Sequence, residues 1–166
     1  IPGPSAVTLA LALSGLPADR FVFEGFLPRA GAKRAERLAA LAAEPRTAVL
    51  FCSPGRLGAD LTALRRTLGG GRPCVVCREM TKVHEETWRG TLEEAAAHWG
   101  EGPARGEVTV VVGGAAPAAA DPADGVARVE ALVAGGLSLS AACGRVAAEQ
   151  GLKRGELYAV VLARRG

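Results

Sequence analysis

The chain has 166 residues, 49% of them apolar and 22% charged, and 20 Lys and Arg against 17 Asp and Glu leave a net charge of +3. That length holds one ordinary domain and a small appendage, and so modest a charge excludes a protein that grips nucleic acid by bulk electrostatics; any RNA contact must be local. Nothing resembles a signal peptide, and no apolar run reaches the ~18 residues that span a bilayer, so a cytoplasmic protein without membrane partners is expected.

In chain order, Pro4 reads as the first residue of a helix that runs to Ser14 and stops at Gly15 and Pro17. An apolar-rich strand over 21–27, a helix over 32–43, a strand over 47–53 and an amphipathic helix over 56–68 follow. A strand at 72–78, a short extended piece at 85–89, a helix at 91–99 and a last strand at 107–113 complete an alternating α/β region over 1–114. Residues 115–125 have the Ala, Pro, Gly and Asp composition of a linker. Beyond them, 126–134, 138–150 and 154–165 read as three short helices parted by Gly135, Gly136 and Gly151, with Ser138 as an N-cap. This helical tail, 126–166, has the outline of a helix-turn-helix. It reads as a small packing unit, or as an RNA contact through Lys153, Arg154, Arg164 and Arg165.

The densest polar block is Arg78-Glu79-Met80-Thr81-Lys82-Val83-His84-Glu85-Glu86, directly after the apolar run Cys74 to Cys77. Ligands of α/β sheets collect beyond the carboxyl ends of strands, so Arg78 and Glu79 are expected on a binding rim; the same residues would also suit a solvated charged turn. Cys74 and Cys77 have Cys-x-x-Cys spacing, but alternation along a strand sends them to opposite faces and no further pair completes a zinc set. Together with Cys52 and Cys143 they read as small buried hydrophobes in a reducing compartment, and no metal is expected. Arg29, Lys33, Arg34 and Arg37, opposed by Glu36, form a basic cluster. It reads as a phosphate-contacting lip for RNA or as a solvated helix face.

Several blocks also occur in one order: Pro2-Gly3-Pro4-Ser5-Ala6, Gly15-Leu16-Pro17, Phe23-Glu24-Gly25-Phe26-Leu27-Pro28, Arg46-Thr47 entering a strand, Ser53-Pro54-Gly55-Arg56-Leu57, then Arg78 to Glu86 and Gly106-Glu107-Val108. Over residues 1–114 the set resembles the ribosomal RNA small subunit methyltransferase I family of the tetrapyrrole-methylase superfamily. The resemblance implies a mixed sheet flanked by helices, S-adenosylmethionine as methyl donor, and 2′-O-methylation of a cytidine ribose in small-subunit (16S) rRNA. It carries cofactor contacts, several of them main-chain, onto Ser5, Ala6, Phe51, Cys52, Cys77, Arg78, Gly106 and Glu107. On the target side it leaves Glu79, Lys82 and His84 as candidates, Lys82 for a phosphate and Glu79 or His84 for a proton.

Two departures matter. The family has an amino-terminal domain with a glycine-rich loop ahead of the Pro-Gly-Pro-Ser-Ala block, whereas Ile1 enters that block directly, so this chain is expected to be a carboxyl-terminal portion and inactive alone. Cys52 and Gly55 stand where the family usually has Glu and His, which questions a role for those two side chains. A corrinoid-precursor methylase shares the implied fold but is not expected to carry the Arg78–Glu86 block or the basic 29–37 stretch. A non-catalytic RNA-binding or dimerisation module is the third reading. Superfamily members are dimers, so a homodimer through the apolar faces of the helices near 4–14 and 56–68 is expected.

Overall fold

Three strands built almost wholly from Val, Leu, Ala and Cys set the centre of the main unit: β2 (Thr47–Cys52), β3 (Pro73–Arg78) and β5 (Val108–Val112). Strands covered on both faces are apolar along their length rather than alternating. With β1 (Phe21–Phe26) and β4 (Glu86–Thr91) at the edges they form a five-stranded sheet ordered β1-β2-β5-β3-β4. The computed structural model describes residues 3–100, 102, 104–116 and 122–165, and the chain divides into two compact units, Ile1–Ala116 and Pro117–Gly166.

The sheet is mixed. β1 and β2 are parallel, while β5 runs antiparallel to both β2 and β3, and β4 antiparallel to β3. The carboxyl ends of β1, β2 and β3 therefore meet the starts of β4 and β5 at one rim. Cys52 and Arg78 both pair with Val108, and Arg78 also pairs with Glu86.

Alternation sorts the core into two layers. On one face, α2 (Gly31–Ala43), α3 (Leu57–Leu68) and α4 (Leu92–His98) bring Leu38, Leu41, Leu57, Leu61, Leu64 and Leu92 against Leu50, Cys74, Val76, Val110 and Val112. On the other, α1 (Ala6–Ser14) lays Ala10 and Leu11 on Val49, Val75, Cys77 and Val111. Cys74 and Cys77 lie in opposite layers, as alternation requires. Burial pushes the Cys74 thiol up to about 12.

Helix α1 starts later than the position of Pro4 suggests. Ser5 is the extended N-cap, and its carbonyl accepts the first helical bond from Leu9 N–H at 3.0 Å. A dimer surface is expected from the sequence on the helices near 4–14 and 56–68. The apolar faces of α1 and α3 are used internally, and the large exposed apolar side chains of this unit are Phe21, Phe23, Phe26 and Val83. Three of these are on β1, which at the sheet edge bulges between Phe23 and Gly25, with Gly25 at φ 62°.

The second unit packs α5 (Pro122–Ala134), α6 (Leu139–Gln150) and α7 (Arg154–Arg165) around Val126, Val129, Cys143, Val146, Leu157 and Val161. Ser138 caps α6 through the Ala141 N–H at 3.3 Å. Helix α5 already begins at Pro122, inside the segment whose composition suggested a linker; residues 117–121 of that segment lie outside those described. Gly125 lies within this helix, where an added Cβ would come 2.9 Å from Leu152 Cδ1 and 3.1 Å from Leu157 Cδ1. Of the tail's basic residues, Lys153 pairs with Glu156 at 3.0 Å and Arg154 donates to Ser140 Oγ at 2.6 Å. No helix among the described residues is long and apolar enough to cross a membrane.

The end of the sheet opposite the rim is fastened by Arg72, which donates to the carbonyls of Gly113 at 3.1 Å and Ala42 at 2.6 Å. There Glu44 is clamped by Arg46 at 2.6 Å, which holds its carboxyl at about 2, and its carbonyl accepts from Ala115 N–H at 2.7 Å. Gly114 passes so close that an added Cβ would lie 1.9 Å from the Pro45 carbonyl oxygen, against a nearest approach of 3.2 Å at Gly113. Forcing a methyl group into such contact costs about 1–3 kcal/mol. Gly114→Ala is therefore expected to lower the urea midpoint clearly and Gly113→Ala much less; equal midpoints would contradict the close approach.

Candidate active site

The rim carries a cleft of about 440 Å³ lined by Ala6, Phe26, Phe51, Cys52, Ser53, Pro54, Gly106, Glu107, Val108 and Thr109. Its walls come from the start of α1, the ends of β1 and β2, and the entry to β5. At the end of β2, Pro54 opens a single 3₁₀ turn, Pro54–Arg56, which directs the chain away from the rim. The thiol of Cys52 belongs to the helix-side core and burial pushes it up to about 12, so this residue meets the cleft through its main chain. A second hollow, about 330 Å³, lies alongside and shares Phe26 and Ser53; Leu27, Pro28, Arg29, Arg56 and Asp60 complete it. A third, at Arg78, Glu86, His98, Trp99 and Arg105, has no residue in common with the cleft.

The loop between β3 and β4 is tied to the cleft by a reciprocal pair of backbone-centred bonds. Glu79 N–H donates to the Glu107 carbonyl at 2.9 Å, and Glu107 N–H donates to Glu79 Oε1 at 2.8 Å. Lys82 Nζ closes the arrangement, 2.8 Å from Glu79 Oε1 and 3.3 Å from Glu107 Oε2. Glu79 and Thr81 hold left-handed backbone, φ 51° and 66°, a conformation that costs a non-glycine residue about 1–3 kcal/mol and persists only where neighbours enforce it. The enforcing bonds are those of Glu79, together with Thr81 N–H to Glu85 Oε2 at 2.7 Å. Gly106, at φ 83°, makes room: a Cβ there would lie 2.3 Å from the Glu79 carboxyl carbon.

The hydrogen bond from Lys82, and then the Glu107 N–H, hold the Glu79 carboxyl below the usual glutamate range. The same contact with Glu79 raises Lys82. Glu79 is thus a braced anion and a weak proton acceptor. His84 stands exposed on the turn beside Val83, and among the described residues no hydrogen bond engages it.

Ala6, Phe51, Cys52, Gly106 and Glu107, far apart in sequence, meet around the cleft. Ser5 adjoins it as the exposed cap of α1. Cys77 does not reach it by its side chain, which is fully buried under α1. Arg78 lines the third hollow instead and bonds Glu86 at 2.8 Å. The four-cation lip is unequal. Arg34 is committed to Asp60 at 2.8 Å and the Pro28 carbonyl at 2.9 Å, and Arg37 pairs with Glu24 at 2.6 Å; Arg29 and Lys33 are exposed. Phe26 and Arg56 occur in the Phe-Glu-Gly-Phe-Leu-Pro and Ser-Pro-Gly-Arg-Leu blocks of the sequence without a site role expected of them, and Asp60 carries no sequence signal of its own. No group of His, Cys, Asp and Glu among the described residues could hold a metal ion.

Residues 1–96 match the family profile of the Tetrapyrrole (Corrin/Porphyrin) Methylases. A Ribosomal RNA small subunit methyltransferase I from Mycobacterium bovis is 53% identical over 166 residues, 99% of this chain and 58% of the relative. One of the same name from Synechocystis is 42% identical over 165 residues, 98% of this chain and 59% of the relative. The chain therefore spans between half and two thirds of these relatives' length. A crystal structure of the methyltransferase CobJ superposes with a TM-score of 0.54 at 21% identity, over 69% of this chain and 50% of that one, a likeness of fold.

The brace among Glu79, Lys82 and Glu107 has a defined pH window. A lowered Glu79 contributes stability that is complete above the ordinary glutamate value of 4.5 and is lost as pH falls through its folded value. A raised Lys82 contributes stability that is complete below 10.5 and is lost as pH climbs through its own folded value. Hydrogen exchange, corrected for intrinsic rates, is expected to show Glu107 N–H protected from about pH 5 to about pH 9, with protection lost at the acid end only as pH falls through the lowered folded value of Glu79. Protection that survives Glu79→Ala across that range would refute the brace.

Proposed function

Because the chain belongs to the tetrapyrrole methylase family, we propose that it is part of an S-adenosylmethionine-dependent methyltransferase that 2′-O-methylates a cytidine ribose in small-subunit (16S) rRNA. The observation that carries the reading is the cleft itself. Residues from four separate stretches, including the Pro-Ser-Ala turn, the end of β2 and the Gly106-Glu107 entry to β5, enclose a mostly apolar space of about 440 Å³. Binding pockets run to about 300–1,000 Å³ and use a few main-chain polar groups to orient an apolar body.

The cleft fits an adenosyl group. Phe51 and Pro54 supply apolar wall, and Cys52 offers main chain in place of a side chain. Gly106 and Glu107 bring polar backbone close, held in place by Glu79. When bound, S-adenosylmethionine supplies a methyl group on a sulfonium, electrophilic enough that orientation provides most of the catalysis. The chain's own residues then have separable tasks. Glu79 positions the cleft floor and is not the base, because Lys82 and the Glu107 N–H stabilise its carboxylate and so weaken it as a proton acceptor. Lys82, with two of its ammonium protons toward Glu79 and Glu107, has a third to offer a phosphate of the RNA at the rim, and His84 on the exposed turn accepts the ribose proton. Arg78, bonded to Glu86, stiffens the strand end below the loop.

Cytoplasmic location and a homodimer belong to the same reading. The exposed Phe21 and Phe23 of the edge strand, rather than α1 or α3, give the homodimer its apolar surface.

The chain spans between half and two thirds of its relatives' length, so alone it is expected to give no methyl transfer from labelled S-adenosylmethionine to small ribosomal subunits lacking the modification; clear turnover would contradict a split site. In the full-length enzyme, Lys82→Ala is expected to reduce kcat/KM by about tenfold or more, the loss of one charge-assisted contact, mainly through KM for the subunit. His84→Ala should lower kcat instead, with KM for the subunit little changed. A wild-type kcat in the latter variant would remove His84 from the mechanism.

A further inference from the structure

We propose that the hollow formed by Phe26, Arg29 and Arg56 is the subsite that receives the target nucleotide, its phosphate on the guanidinium groups and its base against the Phe26 ring. This rests on the methyl-transfer reading above and names where its RNA enters. The first argument is adjacency. Methyl donor and acceptor must approach to about 3–3.5 Å, so the acceptor has to enter beside the cofactor cleft. This hollow shares Phe26 and Ser53 with that cleft, whereas the hollow at Arg78 and Trp99 shares nothing with it.

The second argument is charge held in place. Asp60 is buried beneath the hollow and bonded by Arg34 at 2.8 Å, with side chains 5% and 13% exposed. Arg34 thus neutralises the one carboxylate in the lining. Arg56 is anchored on both sides, donating to the Arg29 carbonyl at 3.1 Å and lying 3.5 Å from Asp60 Oδ1, yet stays 35% exposed. Two guanidinium groups, Arg34 and Arg56, thus share the single Asp60 carboxylate, which leaves one positive charge in surplus, and exposed Arg29 adds another. A fixed, partly exposed guanidinium is suited to bidentate phosphate binding.

The third is the aromatic ring. Phe26 is 63% exposed at the end of β1, steadied by Phe51 at 5.7 Å between ring centroids. An accessible ring beside arginines is how proteins receive a base splayed out of a single strand. Small apolar substrates would not call for two arginines, and an RNA duplex would not use the ring.

The test measures binding and turnover separately. Anisotropy of a labelled single-stranded RNA containing cytidine is read on the chain, and KM for small subunits and for S-adenosylmethionine on the full-length protein. Arg56→Ala should weaken RNA about tenfold and reduce the salt slope by about one, while Phe26→Ala weakens it without changing that slope. KM for the subunit should rise in both, and in Arg56→Ala, whose side chain lines the hollow but not the cleft, KM for S-adenosylmethionine should stay within about twofold of wild type. Arg66→Ala, an exposed cation elsewhere on α3, should do neither. Arg29→Ala and Arg56→Lys provide the same readouts if Arg56→Ala fails to fold. Unchanged RNA affinity in these variants, an equal loss for S-adenosylmethionine in Arg56→Ala, or an equal effect of Arg66→Ala overturns the subsite while turnover by the full-length wild type persists. No wild-type turnover on small subunits overturns the methyl-transfer reading, and the subsite's role with it.

Discussion

Everything at the rim depends on the antiparallel insertion of β5 between β2 and β3. Were β3 to pair directly with β2, as successive parallel strands joined by a helix commonly do, Val108 would not stand between Cys52 and Arg78. The Gly106-Glu107 entry would then have no reason to approach the loop after β3. Ladder hydrogen bonds fix this register to the residue, because a one-residue slip would turn Val110 and Val112 from the helix-side core into the α1 layer. The cleft is a consequence of strand order.

Charge around the cleft falls into two groups that do opposite things. Glu79, Lys82 and Glu107 satisfy one another and hold left-handed backbone that the chain would not otherwise keep, so their ionisation serves geometry. Arg34 and Asp60 likewise cancel, in a pair too buried for either to be removed alone without leaving an unpaired charge. What remains is positive charge at Arg29 and Arg56, with Phe26 between them and the cleft. A net charge of +3 over the whole chain conceals this local surplus. That is why bulk composition argued only against diffuse nucleic-acid binding.

Element boundaries were largely readable because periodicity and punctuation agreed. The apolar runs at 47–53, 72–78 and 107–113 are the three central strands, and Gly15, Gly69 and Gly151 stop helices where they stand. Opposite faces for Cys74 and Cys77 followed from alternation alone. The start of α5 was hidden by Ala, Pro, Gly and Asp, residues that serve a loop or a helix's first turn equally well, and Gly125 is a packing choice against Leu152 that composition cannot express.

The sequence by itself determined which segments are strands and helices, and which ends of strands carry charge, since both are written in local residue order. Only the tertiary structure decided the partners. Arg34 is a buried brace while Arg56, outside the basic cluster, faces an open hollow, because Asp60 on α3 comes to lie beside one guanidinium more closely than the other. Cys77 and Arg78, adjacent in the chain, take opposite faces by alternation, but that neither side chain meets the cleft follows from the placement of β5, which acts through space and which no local pattern encodes.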